Sequence, residues 1–133
     1  MAEAPVFVGT PHIDLSKFVA SDGINYKTVF VPGTLGSRIM ALAASSDDTA
    51  AIQCHVSLVR ASIRYKLDTF TIPGATVSQP TVNFNILDAE WLQYLHALDL
   101  HILMPADITI EVAPVVSVSL GKEVSIFAFA GDF

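Results

Sequence analysis

Apolar and polar side chains alternate with a period of two along most of this chain, which is the spacing of β-strands that bury one face. Residues 52–60 and 63–69 show the alternation most clearly, and the short gap between them predicts a tight hairpin turn at residues 60–62. The same pattern predicts further strands at residues 12–20, 26–31, 38–44, 76–86, 98–104, 108–112 and 124–129.

One segment departs from this period. Asp88 is a suitable N-cap for a short helix at residues 89–96, in which Leu87, Trp91 and Leu95 would share one face and cover an end of the core. Eight or nine strands at spacings of 8–15 residues, with one short helix, predict an all-β fold. We expect an antiparallel β-sandwich with a jelly-roll-like arrangement of strands.

The two ends of the chain differ from each other. Residues 1–11 contain two prolines and a glycine, which predicts an extended N-terminal arm preceding a single sandwich domain at residues 12–133. Near the other end, Phe127 and Phe129 alternate with Ala128 and Ala130, so both faces of this strand are apolar. We therefore expect an interior strand that is paired on both sides and covered on both faces.

Composition narrows the class of function. The formal net charge is −6, which argues against nucleic-acid binding because such binding relies on Lys and Arg. No segment has the length of a membrane helix or the pattern of a secretion signal. Hydrophobic residues nevertheless make up 52% of the chain and charged residues only 15%. A small domain cannot bury so much apolar surface alone, which indicates an oligomer or a protein partner.

A search for catalytic chemistry finds no motif. The four histidines lack the paired spacing of metal ligands, so we expect no metal or cofactor. Cys54 and His55 are adjacent in a predicted strand and therefore face opposite sides, which leaves Cys54 as a buried structural thiol. The acidic pair Asp47 and Asp48 fits a polar turn better than a catalytic dyad. These observations predict a protein that is not an enzyme.

Three stretches of sequence suggest a family. These are PVFVGTPHID at residues 5–14, GSRI at residues 36–39 and AFAGDF at residues 128–133. In these three stretches the chain resembles small virion proteins of tailed phages and prophages. Many of those carry similar phrases, although they often have glycine where this chain has Ala130.

The resemblance implies a capsid decoration or cement protein on the outer surface of a phage head, assembled in the host cytoplasm. Such proteins are often homotrimers that bind the major capsid protein through extended termini. We expect assembly contacts at positions in or next to the three matching stretches. These are Pro5, Val6, Phe7, Val8, Gly36, Ser37, Arg38, Phe127, Phe129, Asp132 and Phe133.

Two alternatives remain open from the sequence. A head–tail joining or tail-associated protein would belong to the same virions but occur in far fewer copies. A carbohydrate-binding β-sandwich would need exposed aromatic platforms, for which Trp91 and Tyr94 are the candidates.

Overall fold

The computed structural model describes residues 10–86 and 102–133. These residues form nine β-strands and a single turn of 3₁₀ helix at Ala20–Asp22. The strands are β1 (Thr10–Val19), β2 (Lys27–Phe30), β3 (Ser37–Ser46), β4 (Ile52–Arg60), β5 (Ile63–Ile72), β6 (Val82–Asn85), β7 (Ile102–Met104), β8 (Ile108–Pro114) and β9 (Glu123–Asp132).

The strands form two antiparallel sheets that pack face to face. Sheet A has the order β1-β9-β3-β6, with β7 pairing along the same edge of β3 as β6. Sheet B has the order β2-β8-β4-β5. If β6 and β7 are counted as one interrupted strand, this is the order of a jelly roll, which confirms the predicted fold class.

The core lies between the two sheets. Each strand contributes alternate side chains to it, and a sheet that buries only one face should show this pattern. The largest fully buried side chains come from both sheets and include Phe18, Phe30, Ile39, Leu42, Ile72, Ile86, Ile126 and Val112.

The hairpin of β4 and β5 matches its prediction. Ala61 and Ser62 at its turn both have positive φ, as a two-residue turn of type I′ requires. The alternation in residues 63–69 predicts that Ile63, Tyr65, Leu67 and Thr69 share one face of β5, and this prediction holds only in part. The pairing shifts at Leu67, where β5 has one more residue than β4, so Phe70 and Ile72 are buried. Tyr65, on the other side of the shift, remains exposed.

Several other predictions need correction. The sequence also predicts a last hairpin that turns at residues 120–122. It does not form, because β8 belongs to sheet B and β9 to sheet A. The strand predicted at residues 76–86 is limited to Val82–Asn85, after Pro80. Within the predicted arm, Thr10 and Pro11 already belong to β1, while residues 1–9 lie outside the described part of the chain.

The helix predicted at residues 89–96 also lies outside the described residues, as does most of the predicted strand at 98–104. Within residues 10–86 and 102–133, no helix is long and apolar enough to span a membrane.

Candidate assembly surface

The outer face of sheet A, which points away from the core, is apolar. In β9, the side chains of Val124, Ile126, Ala128 and Ala130 are buried at alternate positions, so Phe127 and Phe129 point outward. Phe129 is 41% exposed. The strand is therefore paired on both sides, as predicted, but it is not covered on both faces.

The neighbouring strands extend this apolar surface. On β1, Ile13 pairs with Phe129 and Leu15 pairs with Phe127, and Leu15 is 67% exposed. On β3, the small side chains of Ala41 and Ala43 lie on the other side of the two phenylalanines. Leu103 on β7 adds to the same face and is 64% exposed. We call this surface the apolar face, and it comprises Ile13, Leu15, Ala41, Ala43, Leu103, Phe127 and Phe129.

Polar groups border the apolar face at both ends. At one end, Lys17 and Glu123 form an exposed ion pair with a distance of 3.3 Å between Nζ and Oε2. At the other end, Arg38 pairs along the sheet with Leu103 and forms no ion pair with a described residue. An apolar patch with a polar rim is typical of a protein–protein interface.

The outer face of sheet B is different, because polar side chains cover it. Arg64 stacks on the ring of Tyr26 at 3.8 Å and donates a hydrogen bond to Glu111. Arg60 pairs with Asp107 nearby. The two arginines are thus engaged within the chain, and the two faces of the sandwich have opposite character.

A second cluster lies at one corner of sheet A, beside the Arg38 end of the apolar face. The backbone N–H of Phe133 donates to the carbonyl of Gly36 at 3.2 Å, and the Phe133 side chain is half exposed. Gly36 has φ +90°, and a Cβ on it would lie 2.8 Å from the Met104 carbonyl oxygen. The position therefore requires glycine. We call Gly36, Ser37, Asp132 and Phe133 the C-terminal corner.

Polar side chains from three strands meet inside this corner. The hydroxyl of Ser37, which is buried, donates to Asp132 Oδ1 at 2.5 Å. Asp132 Oδ1 also lies 2.7 Å from Nδ1 of His12, and Asp14 Oδ1 lies 2.9 Å from Nε2 of the same ring. The backbone N–H of Val31 donates to the other oxygen of Asp14.

These contacts change the proton affinity of the groups involved. The hydrogen bond to Asp132 raises the pKa of His12 above its ordinary 6.5, and Asp14 adds to this effect against the opposing effect of burial. The pKa of Asp132 is lowered from 3.8, mainly by the hydrogen bond from Ser37, with His12 contributing. The contacts with the two carboxyl groups thus favour the protonated form of His12.

The residues predicted to make assembly contacts fall into two groups. Arg38, Phe127 and Phe129 lie on or beside the apolar face. Gly36, Ser37, Asp132 and Phe133 form the C-terminal corner, although the side chains of Ser37 and Asp132 point inward. The predicted contacts Pro5, Val6, Phe7 and Val8 lie outside the described residues, as do Trp91 and Tyr94.

Sequence reasoning missed the role of β1. The alternation of Ile13 and Leu15 with Asp14 was visible, but it does not show which side faces the core. The apolar side chains face outward, and His12 and Asp14 face inward. The spacing His12-x-Asp14 places two polar groups on one face of a strand, and it is the one signal in the sequence of this partly buried cluster.

The groups considered for catalysis are separated or engaged. Cys54 is buried, and burial raises its pKa to about 12, so the thiol is a poor nucleophile. His55 lies on the opposite face, near Thr69. Among the described residues, no three His, Cys, Asp or Glu side chains are arranged to hold a metal ion.

No protein-family model matches the chain, and no curated protein sequence shows significant similarity. Among solved structures, it is similar to the nucleoplasmin-like N-terminal domain of Drosophila FKBP39, with 10% identity and a TM-score of 0.39 over 94% of this chain and 93% of that one. It is also similar to structures of infectious bursal disease virus. The Gx strain gives 11% identity and a TM-score of 0.36 over 99% of this chain and 36% of that one. The VP2 subviral particle of this virus gives 11% identity and a TM-score of 0.34 over 99% of this chain and 37% of that one.

Proposed function

We propose that this chain is a structural protein of a virion, specifically a capsid decoration protein that binds the major capsid protein on the outer surface of a phage head. The observation that carries the proposal is the exposed apolar face of sheet A, which has the character of an interface. We propose a phage particle because three sequence stretches resemble phage virion proteins. The net charge of −6 supports a position outside the shell, away from packaged DNA.

The apolar face is too small to form a stable protein–protein interface alone. A surface four strands wide and about six residues long covers roughly 300–400 Å². A stable interface buries about 800 Å² on each partner. The face therefore supplies about half of a standard contact, and we propose that the C-terminal corner and residues 1–9 supply the remainder. Three copies around a capsid axis, the homotrimer implied by the resemblance, would multiply such weak contacts through avidity.

Co-sedimentation with purified capsids tests the proposal. Leu15→Asp places a charge on the edge strand of the apolar face, and Phe129→Asp places one on its interior strand β9. Burying an unpaired carboxylate is costly. We expect capsid affinity to fall at least about tenfold, which corresponds to about 1.4 kcal/mol. Both side chains point away from the core, so thermal unfolding should change little.

Val77→Asp is the matched control, because Val77 is fully exposed at 103% and lies in neither sheet. This variant should bind capsids like the wild type. Equal binding by all four proteins would contradict the role of the apolar face. Failure of the wild-type chain to bind capsids at any concentration would contradict the decoration function.

A further inference from the structure

His12 occupies a position that only its protonated form satisfies fully. Both ring nitrogens face carboxylate oxygens, with Nδ1 2.7 Å from Asp132 and Nε2 2.9 Å from Asp14. A carboxylate can only accept hydrogen bonds, so each ring nitrogen must donate one. A neutral imidazole carries a single N–H and can make only one of the two contacts as a donor.

The ring connects three parts of the fold. His12 and Asp14 belong to β1, which is the edge strand of sheet A, and Asp132 is the last residue of β9. Asp14 also holds the segment between β2 and β3 through the N–H of Val31. Asp132 does so through Ser37, whose hydroxyl oxygen accepts a hydrogen bond from the N–H of Gly33. Deprotonation of one imidazole therefore affects every segment that meets at the C-terminal corner.

The other groups that pack against His12 in the described part of the chain are uncharged. From β2, the ring of Phe30 packs on the imidazole with the centroids 5.0 Å apart and contributes no charge. From β3, the neighbouring group is the neutral hydroxyl of Ser37. Among the described residues, the charges that act on His12 are those of Asp14 and Asp132.

We propose that His12 is a proton-controlled latch, which holds β1 to the end of β9 while both ring nitrogens are protonated and loosens the C-terminal corner when one proton is lost. The proposal deepens the proposed function, on which it rests only in supposing that this corner takes part in assembly. Exposed Phe133 would then be held firmly below the pH at which His12 loses a proton, and less firmly above it.

The direction of the pH dependence follows from the two pKa shifts. The pKa of His12 is raised, so its contribution to stability is complete below about 6.5 and is lost as the pH rises through the folded-state value. The pKa of Asp132 is lowered, so its contribution is present above 3.8 and is lost as the pH falls through its folded-state value. The latch is strongest between these limits.

NMR spectroscopy of the free chain tests the latch without any capsid. We expect the imidazole ¹⁵N signals of His12 to titrate with a midpoint above 6.5 and to show both nitrogens protonated below it. Over the same pH range, the protection factors of the Val31 and Phe133 amides, corrected for intrinsic exchange, should fall several-fold. A midpoint at or below 6.5 would overturn the proposal, as would unchanged protection while His12 titrates.

Variants separate the latch from a general effect of alkaline pH. In His12→Gln no proton is lost, so the protection factors should not depend on pH between 6 and 9. His55→Gln is the matched control, because His55 lies on sheet B beside Thr69, and it should retain the wild-type pH profile. If His12→Gln does not fold, the wild-type titration still decides. A failed capsid assay would leave these outcomes unaffected.

Discussion

At the scale of single residues, Asp47 and Asp48 show how adjacent identical side chains acquire different roles. Asp48 is fully buried, and its two oxygens accept hydrogen bonds from the backbone of Ala50 and from both the backbone and the hydroxyl of Ser119. Asp47 lies at the surface and accepts one bond, from the backbone of Glu123. Asp48 therefore ties the β3–β4 turn to the segment that precedes β9.

Asp48→Asn should destabilise the fold by about 2–3 kcal/mol. The amide nitrogen would face the N–H of Ser119 or Ala50, so that two donors oppose each other. Asp47→Asn keeps an acceptor oxygen and should change the stability by less than about 1 kcal/mol. Urea unfolding of both variants measures the difference, and equal effects would contradict the assigned roles.

The stabilising effect of Asp48 should also depend on pH. Burial alone would raise the pKa of Asp48, but the hydrogen bonds from Ser119 and Ala50 outweigh it and lower the pKa below 3.8. The stabilising contribution is present above 3.8 and is lost as the pH falls through the folded-state value. The difference in the free energy of unfolding between the wild type and Asp48→Asn should therefore become smaller in strong acid.

At the scale of elements, the strands could be predicted because alternation and turn residues are local signals. The boundaries of β4 were predicted to the residue, since a tight turn follows it. The side chains that face the core were harder to predict, because the register shifts at Leu67 in β5 and at Met40 in β3 change the phase within a strand. A shift depends on the partner strand, which the local sequence does not specify.

Substitution of Gly36 tests how closely the chain at the start of β3 packs against β7. A Cβ at this position would lie 2.8 Å from the Met104 carbonyl, in addition to the strain of φ +90°. Gly121 has a similar φ of +78°, but nothing lies within 4 Å of its Cβ position. Gly121→Ala should therefore cost only the backbone strain, about 1–2 kcal/mol.

Gly36→Ala should cost at least about 1 kcal/mol more than Gly121→Ala, since crowding adds to the strain. Thermal or denaturant unfolding of both variants gives this difference directly. Equal destabilisation would contradict the close approach of Gly36 to the Met104 carbonyl oxygen.

At the scale of the whole molecule, the two outer faces of the sandwich differ, and this difference was not predictable from the sequence. The composition indicated surplus apolar surface, but not where it lies. Its position depends on β9 pairing with both β1 and β3, strands about 80 to 120 residues away in the chain. The alternation in β1 and β9 was recognised, and only the assembled sheet shows that Ile13, Leu15 and Phe129 face solvent.

The two candidate regions have complementary parts in the proposed assembly. The apolar face of sheet A offers apolar surface for burial. The C-terminal corner offers a fixed position for Phe133, whose backbone N–H donates a hydrogen bond to the Gly36 carbonyl. Both regions lie on sheet A, while the arginines of sheet B are engaged within the chain. One side of the molecule is thus suited to contact and the other to solvent.

A cryo-EM reconstruction of the parent particle tests the central claim most directly. We predict density for many copies of this jelly roll on the outer surface of the capsid, with the apolar face of sheet A buried against neighbouring subunits and the polar face of sheet B toward solvent. Absence of the chain from the shell, or a reconstruction in which Leu15 and Phe129 face solvent, would contradict the account.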